Sequence, residues 1–153
     1  MTTPAARKSE DPEQAVREAN RRFYQAFATL DLDQMADVWL HEDWIECVHP
    51  GWDFLLGWEE VRESWQRIFQ STVRVQVEIS SVWVHVEGEV AWVACTESVT
   101  STFERGFDEV RVQATNVFAR RAITGPDPES SGRWYLVAHH GSPLATGPSA
   151  PLQ

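Results

Sequence analysis

The sequence predicts an α+β fold in which a strongly curved antiparallel sheet packs against three N-terminal helices. Apolar side chains recur at helical spacing through most of residues 12–70, and β-branched and aromatic residues alternate at period two from Val73 onward. A chain of 153 residues, 42% of them hydrophobic, has room for one core. We therefore expect one domain over residues 11–142, between mobile tails at 1–10 and 143–153.

Three helices are predicted from their caps and their apolar periodicity. The first covers residues 12–30, with Asp11 as its N-cap and a proline at its first position. The second covers residues 31–40 and begins at the capping side chain of Asp31. The third covers residues 58–70, directly after a glycine. Each helix has an apolar stripe that requires cover from another element.

The other elements are predicted as strands. Residues 44–49 alternate and are stopped by Pro50 and Gly51, which indicates a short strand that runs into a loop. Four long strands then form an antiparallel meander, with a loop rich in Gly and Pro at residues 125–128. They cover residues 73–86, 89–102, 107–121 and 133–141.

Composition excludes several classes of partner. The formal charge of −10 would repel nucleic acid and anionic membrane surfaces, and no basic stripe offsets it. There is no run of eighteen apolar residues and no apolar segment typical of a secretory signal. Two cysteines, Cys47 and Cys95, are too few for a disulfide scaffold. We therefore expect a cytoplasmic protein that binds neither nucleic acid nor membrane.

Eight tryptophans are the unusual feature of the composition. Trp39 and Trp65 fall on the buried stripes of predicted helices, which is the common fate of large aromatic residues. The loop at 50–56 is different, because Trp52 and Phe54 lie there without regular periodicity. Apolar loop residues beside a cleft favour the mouth of a ligand site or a lid over it.

The order of elements and four local strings together resemble the nuclear transport factor 2-like superfamily, and its SnoaL-like branch in particular. The strings are residues 31–39, the His49–Pro50 segment with the later Gly57, residues 115–118, and the ending 134–143. The resemblance covers about residues 12–143 and implies a cone-shaped, cystatin-like roll. This fold hosts isomerases, cyclases, hydrolases and modules without activity, so it does not by itself assign a reaction.

The resemblance also implies a pocket between the concave side of the sheet and the helices. When ketosteroid isomerases of this superfamily are used as the template, their tyrosine on the first helix falls on Phe23, which has no polar group. Their general-base aspartate falls on Cys47 by ungapped counting, or on His49 if the residue before the proline is matched. Their second oxyanion donor falls on Asn116, whose amide donates hydrogen bonds at any pH.

We accordingly predict three catalytic residues: His49 as general base, Asn116 as a donor that polarises a carbonyl, and His139 in the pocket wall. A structural role is the alternative for each, with Asn116 paired inside the core. The predicted pocket residues are Phe23, Trp39, Trp44, Cys47, Trp52, Phe54 and Phe118. Glu46 is a reserve acid or base, since a shift of strand register by one residue would exchange it with Cys47.

No metal site and no cofactor are expected. His139 and His140 are adjacent on one strand and therefore point to opposite faces, so they cannot bind one ion together. The resulting function hypothesis is an isomerase, cyclase or hydrolase that acts on a small hydrophobic or aromatic molecule. The alternative is a dimeric ligand-binding or assembly module without activity, for which a solid core would argue. In either case we predict a homodimer through the convex face of the sheet, because apolar residues on both faces need cover.

Overall fold

The fold is described by a computed structural model over residues 11–122 and 132–145. The predicted tail at 1–10, most of that at 143–153 and the loop at 125–128 lie outside the described residues. The helices are α1 (Pro12–Thr29), α2 (Leu32–Val38) and α3 (Trp58–Ser71). The strands are β1 (Glu46–Val48), β2 (Leu55–Leu56), β3 (Arg74–Glu87), β4 (Val90–Phe103), β5 (Gly106–Arg121) and β6 (Arg133–Pro143).

The first two helices begin at the predicted caps. The Asp11 carboxylate accepts a hydrogen bond from the Glu13 amide at 3.2 Å, and Asp31 Oδ1 accepts from the amides of Asp33 at 2.9 Å and Gln34 at 3.2 Å. The second helix is shorter than predicted. Trp39 adopts extended backbone angles and forms a bridge to Leu136 of β6, so the helix ends where the sheet captures the chain.

One sheet of six strands contains all of the β structure of the described residues, in the order β2-β1-β6-β5-β4-β3. The predicted four-strand meander is confirmed, because β3, β4, β5 and β6 pair antiparallel in sequence order. Strand β1 joins parallel to β6, which sequence alternation alone could not show. The 50–56 loop, expected to be irregular, ends in β2, whose Leu55 pairs with Cys47.

Two register shifts bend the sheet around the helices. In β3, the shift between Ser80 and Trp83 includes Ser81 at a positive φ of 53°, and it reverses which residues face inward. In β6, the shift opposite Val117 and Phe118 inserts one extra residue. Bulges of this kind increase local twist and re-aim side chains. The concave face that results holds Val93, Cys95 and Glu97 of β4 with Asn116 of β5 and His139 of β6, and α1 and α3 pack over it.

The convex face of the same sheet carries a cluster of exposed and half-buried aromatic rings. Trp83 pairs across the strands with Ala94 and His85 with Trp92, so their side chains share this face. The rings of His85 and Trp92 lie 4.7 Å apart, and Trp83 is 53% exposed. His140 also lies on this face, as strand alternation predicts.

The Asp31 cap is expected to stabilise the start of α2 measurably. Replacing it by Ala removes the acceptor for two backbone N–H groups and should lower the free energy of unfolding by about 1 kcal/mol. Asp31→Asn retains a capping oxygen and should lower it much less. Urea denaturation of the three proteins checks this, and equal loss in both variants would show that charge rather than capping matters.

Candidate active site

A cavity of about 180 Å³ opens between the concave face of the sheet and helices α1 and α3. We call it the site cavity. Its wall combines aromatic and aliphatic side chains with four polar ones. The lining residues are Phe23, Phe27, His49, Pro50, Trp52, Trp65, Ile68, Glu97, Val99, Ser101, Val110, Val112 and His139.

Burial shows which end of the site cavity is deep. His49, Glu97 and His139 are all buried, so the three titratable side chains lie at the inner end. Trp52, by contrast, is 39% exposed, and its ring contacts the guanidinium of Arg67 at 5.9 Å. Trp52 of the 50–56 loop therefore lies in the wall at the outer end of the site cavity.

His49 follows directly after β1 and is held by Ser64 of α3. The Ser64 hydroxyl donates to the carbonyl of Val61 at 2.6 Å, so its oxygen accepts from His49 Nε2 at 2.8 Å. This pattern assigns the proton of the neutral ring to Nε2 and leaves a lone pair on Nδ1. Burial lowers the pKa of His49 to about 4, so the ring is neutral at pH 7.

A chain of hydrogen bonds centred on Asn116 lies behind the wall of the site cavity. Its Nδ2 donates to Asn20 Oδ1 at 2.9 Å and to the Tyr24 hydroxyl at 3.0 Å, both on α1. Its Oδ1 accepts from His139 Nδ1 at 2.5 Å. Tyr24 in turn donates to Glu97 Oε2 at 2.5 Å. The chain therefore connects His139, through one amide and one phenol, to Glu97.

The same bonds assign the tautomer of His139. Since an amide oxygen only accepts, the proton lies on His139 Nδ1 and the lone pair on Nε2. Burial, with smaller contributions from His49 and His140, lowers the pKa of His139 to about 3. Its ring packs 5.0 Å from Phe23, between centroids. Both histidines of the site cavity thus present a neutral ring with one unshared electron pair.

Glu97 is the acidic group of the site cavity. Its side chain is 3% exposed, and burial raises its pKa to about 7, against a smaller opposite effect of the Tyr24 hydrogen bond. Tyr24 stays protonated, because burial and then the Glu97 charge raise its pKa. Among the described residues no Lys or Arg lines the site cavity. Glu97 therefore titrates near neutral pH without a cationic partner.

The cysteines are not poised for chemistry. Burial raises the pKa of both Cys47 and Cys95, which keeps them as thiols at neutral pH. Within the described ranges, 11–122 and 132–145, no three His, Cys, Asp or Glu side chains are grouped as a metal site. None of the helices described there has the length and apolarity needed to cross a membrane.

A known protein family matches most of this chain. A family model described as a SnoaL-like domain matches residues 16–146. The chain belongs to the SnoaL-like family. The resemblance read from the sequence, to this branch of the nuclear transport factor 2-like superfamily, is confirmed.

Two solved structures and one curated protein show how this SnoaL-like chain relates to others. A Streptomyces avermitilis protein, provisionally named a dehydratase of the nuclear transport factor 2-like family, is 34% identical over 88% of this chain and 96% of its own, with a TM-score of 0.75. A Thiobacillus denitrificans protein, provisionally named a calcium/calmodulin-dependent protein kinase type II association domain, is 29% identical over 84% and 94%, with a TM-score of 0.70. The F-box protein SKIP8 of Arabidopsis thaliana is 27% identical over 84% of this chain but only 49% of its own, so the chain spans about half the length of that curated relative.

The structure brings some of the predicted site residues of this SnoaL-like protein together and separates others. His49, His139, Phe23 and Trp52 line the site cavity. Trp39, Cys47 and Phe118 instead belong to the hydrophobic core beside it, because the inner faces of the helices and sheet close over them. Trp44 and Phe54 are 49% and 55% exposed and do not line it, since the chain turns outward on both sides of β1.

Asn116 does not have the geometry of the predicted carbonyl donor. Both of its N–H groups are used, by Asn20 and Tyr24, and its side chain does not line the site cavity. It orients His139 and Tyr24 instead. Glu46, the reserve acid, is exposed on β1 and lies toward the outer face with His140.

Tyr24 and Glu97 are the important residues that sequence reasoning missed. The template tyrosine fell on Phe23, but the next residue, Tyr24, supplies a buried phenol from a direction about 100° further around α1. Asn20, four residues earlier on the same helical face, was an available signal. For Glu97 the signal was its alternation with Val93, Cys95 and Val99, which places a carboxylate on an apolar strand face.

The raised pKa of Glu97 should make the free energy of unfolding depend on pH. The folded state retains a proton that the unfolded chain loses above pH 4.5, so this group makes stability fall as pH rises from about 4.5 to about 7. Glu97→Gln removes that fall. Its free energy of unfolding, relative to the parent, should increase by up to about 3 kcal/mol between pH 4.5 and pH 8.

Urea denaturation across this range measures the difference. The two buried histidines change stability in the opposite direction, but they do so in both proteins and cancel in the comparison. Glu78→Gln, which changes an exposed carboxylate on β3, should show no pH-dependent difference. If the free energy of unfolding of Glu97→Gln relative to the parent also does not change with pH, Glu97 is solvated in the folded protein.

Proposed function

We propose that this SnoaL-like protein is an enzyme that removes a proton from a small, largely apolar substrate, with His49 as general base. The observation that carries the proposal is the hydrogen bond from His49 Nε2 to Ser64, which leaves the Nδ1 lone pair with only the weak Cys47 thiol at 3.9 Å, on a ring that lines the site cavity. A positioned base inside a water-poor cavity is the usual arrangement for proton transfer. The presence of a cavity also argues against the solid core expected of a module without a ligand.

The first step is abstraction of a proton from a carbon next to a carbonyl group. The C–H electron pair moves into the carbonyl to form an enolate, and the proton goes to His49 Nδ1. Returning the proton to another carbon would give isomerisation. Attack of the enolate on a second carbonyl would give cyclisation, and the alkoxide formed there would take the proton from His49. If the substrate carries a β-hydroxyl group, the C–O bond breaks, the hydroxyl takes the proton from His49, and water leaves. His49 is neutral again at the end of each sequence.

Water elimination is the sequence that the similarity favours, because the Streptomyces avermitilis relative at 34% identity has a dehydratase as its provisional name. The site cavity, about 180 Å³, favours one ring rather than a polycycle, since a cavity of about 150 Å³ holds benzene. The expected substrate is therefore a small cyclic or aromatic carbonyl compound. Proton transfer of this kind needs no redox cofactor.

The other polar side chains of the site cavity support the base. When His49 takes the proton, it becomes a buried cation, which burial alone disfavours. Glu97 in the same wall supplies a negative charge once it is ionised, above a pH of about 7. Asn116 positions His139 directly and Glu97 through Tyr24, without touching the substrate.

Proton abstraction is tested by following the exchange of α-hydrogens in D₂O by NMR, with cyclohexanone and 4-piperidone as a neutral and a cationic ring ketone. His49→Ala should slow enzyme-dependent exchange about 100-fold or more, because a positioned general base contributes about that much. His41→Ala, an exposed histidine that stacks on Trp58 outside the site cavity, is the matched control and should retain the rate.

The pH dependence gives a second readout of the same experiment. The rate should rise with pH through about 7 as Glu97 ionises, because the imidazolium of His49 then has a counter-charge. Glu97→Gln should be slow and lose this rise. If neither ketone exchanges faster with the parent protein than with His49→Ala, the proposed reaction is wrong.

A homodimer is the second part of the proposal, with the convex face of the sheet as its interface. The exposed Trp83 and the neighbouring His85 and Trp92 form an aromatic patch there, and patches of this type mark interaction surfaces. The relative at 29% identity is named for association, which favours an assembly role as the second candidate function. Both roles are compatible with a second copy on this face.

Light scattering at micromolar concentration should give twice the mass of the chain. Trp83→Glu places a charge in the proposed interface and should give a monomer, whereas Trp83→Phe should remain dimeric. The reason is that an unpaired charge is costly to bury, whereas a ring of similar shape is not. A monomeric parent protein would contradict the proposal directly.

A further inference from the structure

The polar end of the site cavity contains a carboxylate without a cationic partner. Glu97 is buried, and its hydrogen-bond partner is the phenol of Tyr24 rather than a cation. Among the described residues, no salt bridge includes Glu97 and no Lys or Arg lines the cavity. Buried charges in proteins are normally paired. A bound ligand is therefore the available source of positive charge.

The remaining polar atoms of the cavity are mostly acceptors. The tautomers assigned above leave the lone pairs of His49 Nδ1 and His139 Nε2 without a donor stronger than the Cys47 thiol, 3.9 Å from the former. The Ser101 hydroxyl and the indoles of Trp52 and Trp65 add donors to the described lining, although the N–H of Trp65 is itself buried. A ligand that satisfies this wall must bring several N–H or O–H donors to one point.

Aromatic rings complete the wall around these acceptors. Phe23, Phe27 and Trp65 pack edge to face, with centroids 5.3 to 5.8 Å apart for the pairs with Trp65. Trp52 covers the outer end. Aromatic faces attract organic cations through their quadrupoles, most strongly when the cation is desolvated. The formal charge of −10 also raises the local concentration of cations and repels anions.

We propose that the site cavity binds an organic cation, a primary or secondary ammonium group on a small apolar body, with the ammonium group against Glu97. This inference rests on the proposed function in taking the cavity as the substrate site, and it specifies the substrate class. The ammonium group contributes N–H donors to the Glu97 carboxylate, and the lone pair of His49 Nδ1 stays available for the proton of the substrate. The apolar body, about one ring in size, lies among the aromatic side chains.

A cationic substrate also balances the charge of the proposed reaction. Before proton transfer the cavity holds one ammonium charge, one Glu97 carboxylate and a neutral His49. Afterwards it holds a substrate with both an ammonium and an enolate charge, a cationic His49 and the same carboxylate. The net charge is zero in both states, whereas a neutral substrate would leave one uncompensated negative charge throughout.

The titratable groups around Glu97 are neutral, so its own ionisation controls binding of the cation. Tyr24 faces it from α1, Cys95 lies on its own strand, and Cys47 is near on β1, all protonated at neutral pH. Its cross-strand neighbours are apolar, Ile79 on β3 and Val112 on β5. His49 and His139 are uncharged. Affinity for a cation should therefore increase from pH 6 to pH 8 as the Glu97 proton leaves.

The test compares three ligands of one shape and different charge. Benzylamine is a cation at pH 8, benzyl alcohol is neutral and benzoate is an anion. Binding is followed by tryptophan fluorescence, since Trp52 and Trp65 lie in the wall, and by calorimetry. Benzylamine should bind at least about tenfold more tightly than benzyl alcohol, and benzoate more weakly than both. Glu97→Gln should abolish the preference for benzylamine, and Glu78→Gln, an exposed carboxylate on β3, should retain it.

Each outcome separates this inference from the proposed reaction. Equal binding of benzylamine and benzyl alcohol, an unchanged preference in Glu97→Gln, or no binding of any of the three ligands overturns the cation site. Glu97-dependent binding of benzylamine by a protein that exchanges neither ring ketone supports the cation site and removes the proposed reaction. Equally fast exchange of cyclohexanone and 4-piperidone supports the reaction and overturns the cation preference.

Discussion

The hydrogen bonds of Asn116 are the constraint on which the site depends. This amide is completely buried in the middle of β5, where an unpaired polar group would cost about 1 to 3 kcal/mol. Its two N–H groups and its oxygen are all satisfied, by Asn20 and Tyr24 on α1 and by His139 on β6. One side chain therefore ties the first helix to the last strand and sets the tautomer of a histidine in the cavity.

Curvature of the sheet creates the space that these bonds surround. A flat sheet would bring α1 and α3 against the strands along their whole length and leave a filled core. The shifts at Ser80 to Trp83 in β3 and at Val117 to Phe118 in β5–β6 bend the strands away, and a cavity remains at one end. The charge state of that cavity follows from burial, which keeps both histidines neutral and raises the pKa of Glu97 toward neutrality. Curvature of the sheet thus produces the cavity, and burial around that cavity produces the shifted pKa values of its side chains.

Periodicity predicted the helices and the four long strands well, because each element has one face that must be buried. The caps at Asp11 and Asp31 depend on neighbouring residues only, so they too could be predicted. The end of the second helix could not, since Trp39 leaves it to pair with Leu136, nearly a hundred residues later in the chain. The parallel pairing of β1 with β6 is non-local in the same way. The placement of His49 and His139 in one wall followed from the resemblance and from strand alternation, whereas the role of Glu97 did not.

The sequence by itself determined the fold class and the family, because these follow from local periodicity and from strings of neighbouring residues. The tertiary structure decided what the polar residues do. Sequence left open whether Asn116 donates to a ligand or is paired in the core; it joins two elements, while Tyr24 holds Glu97, the acidic group of the cavity. The physical reason is that a hydrogen-bond partner, a tautomer and a pKa depend on distance and burial. Tyr24 and Glu97 are 73 residues apart in the chain and 2.5 Å apart in space.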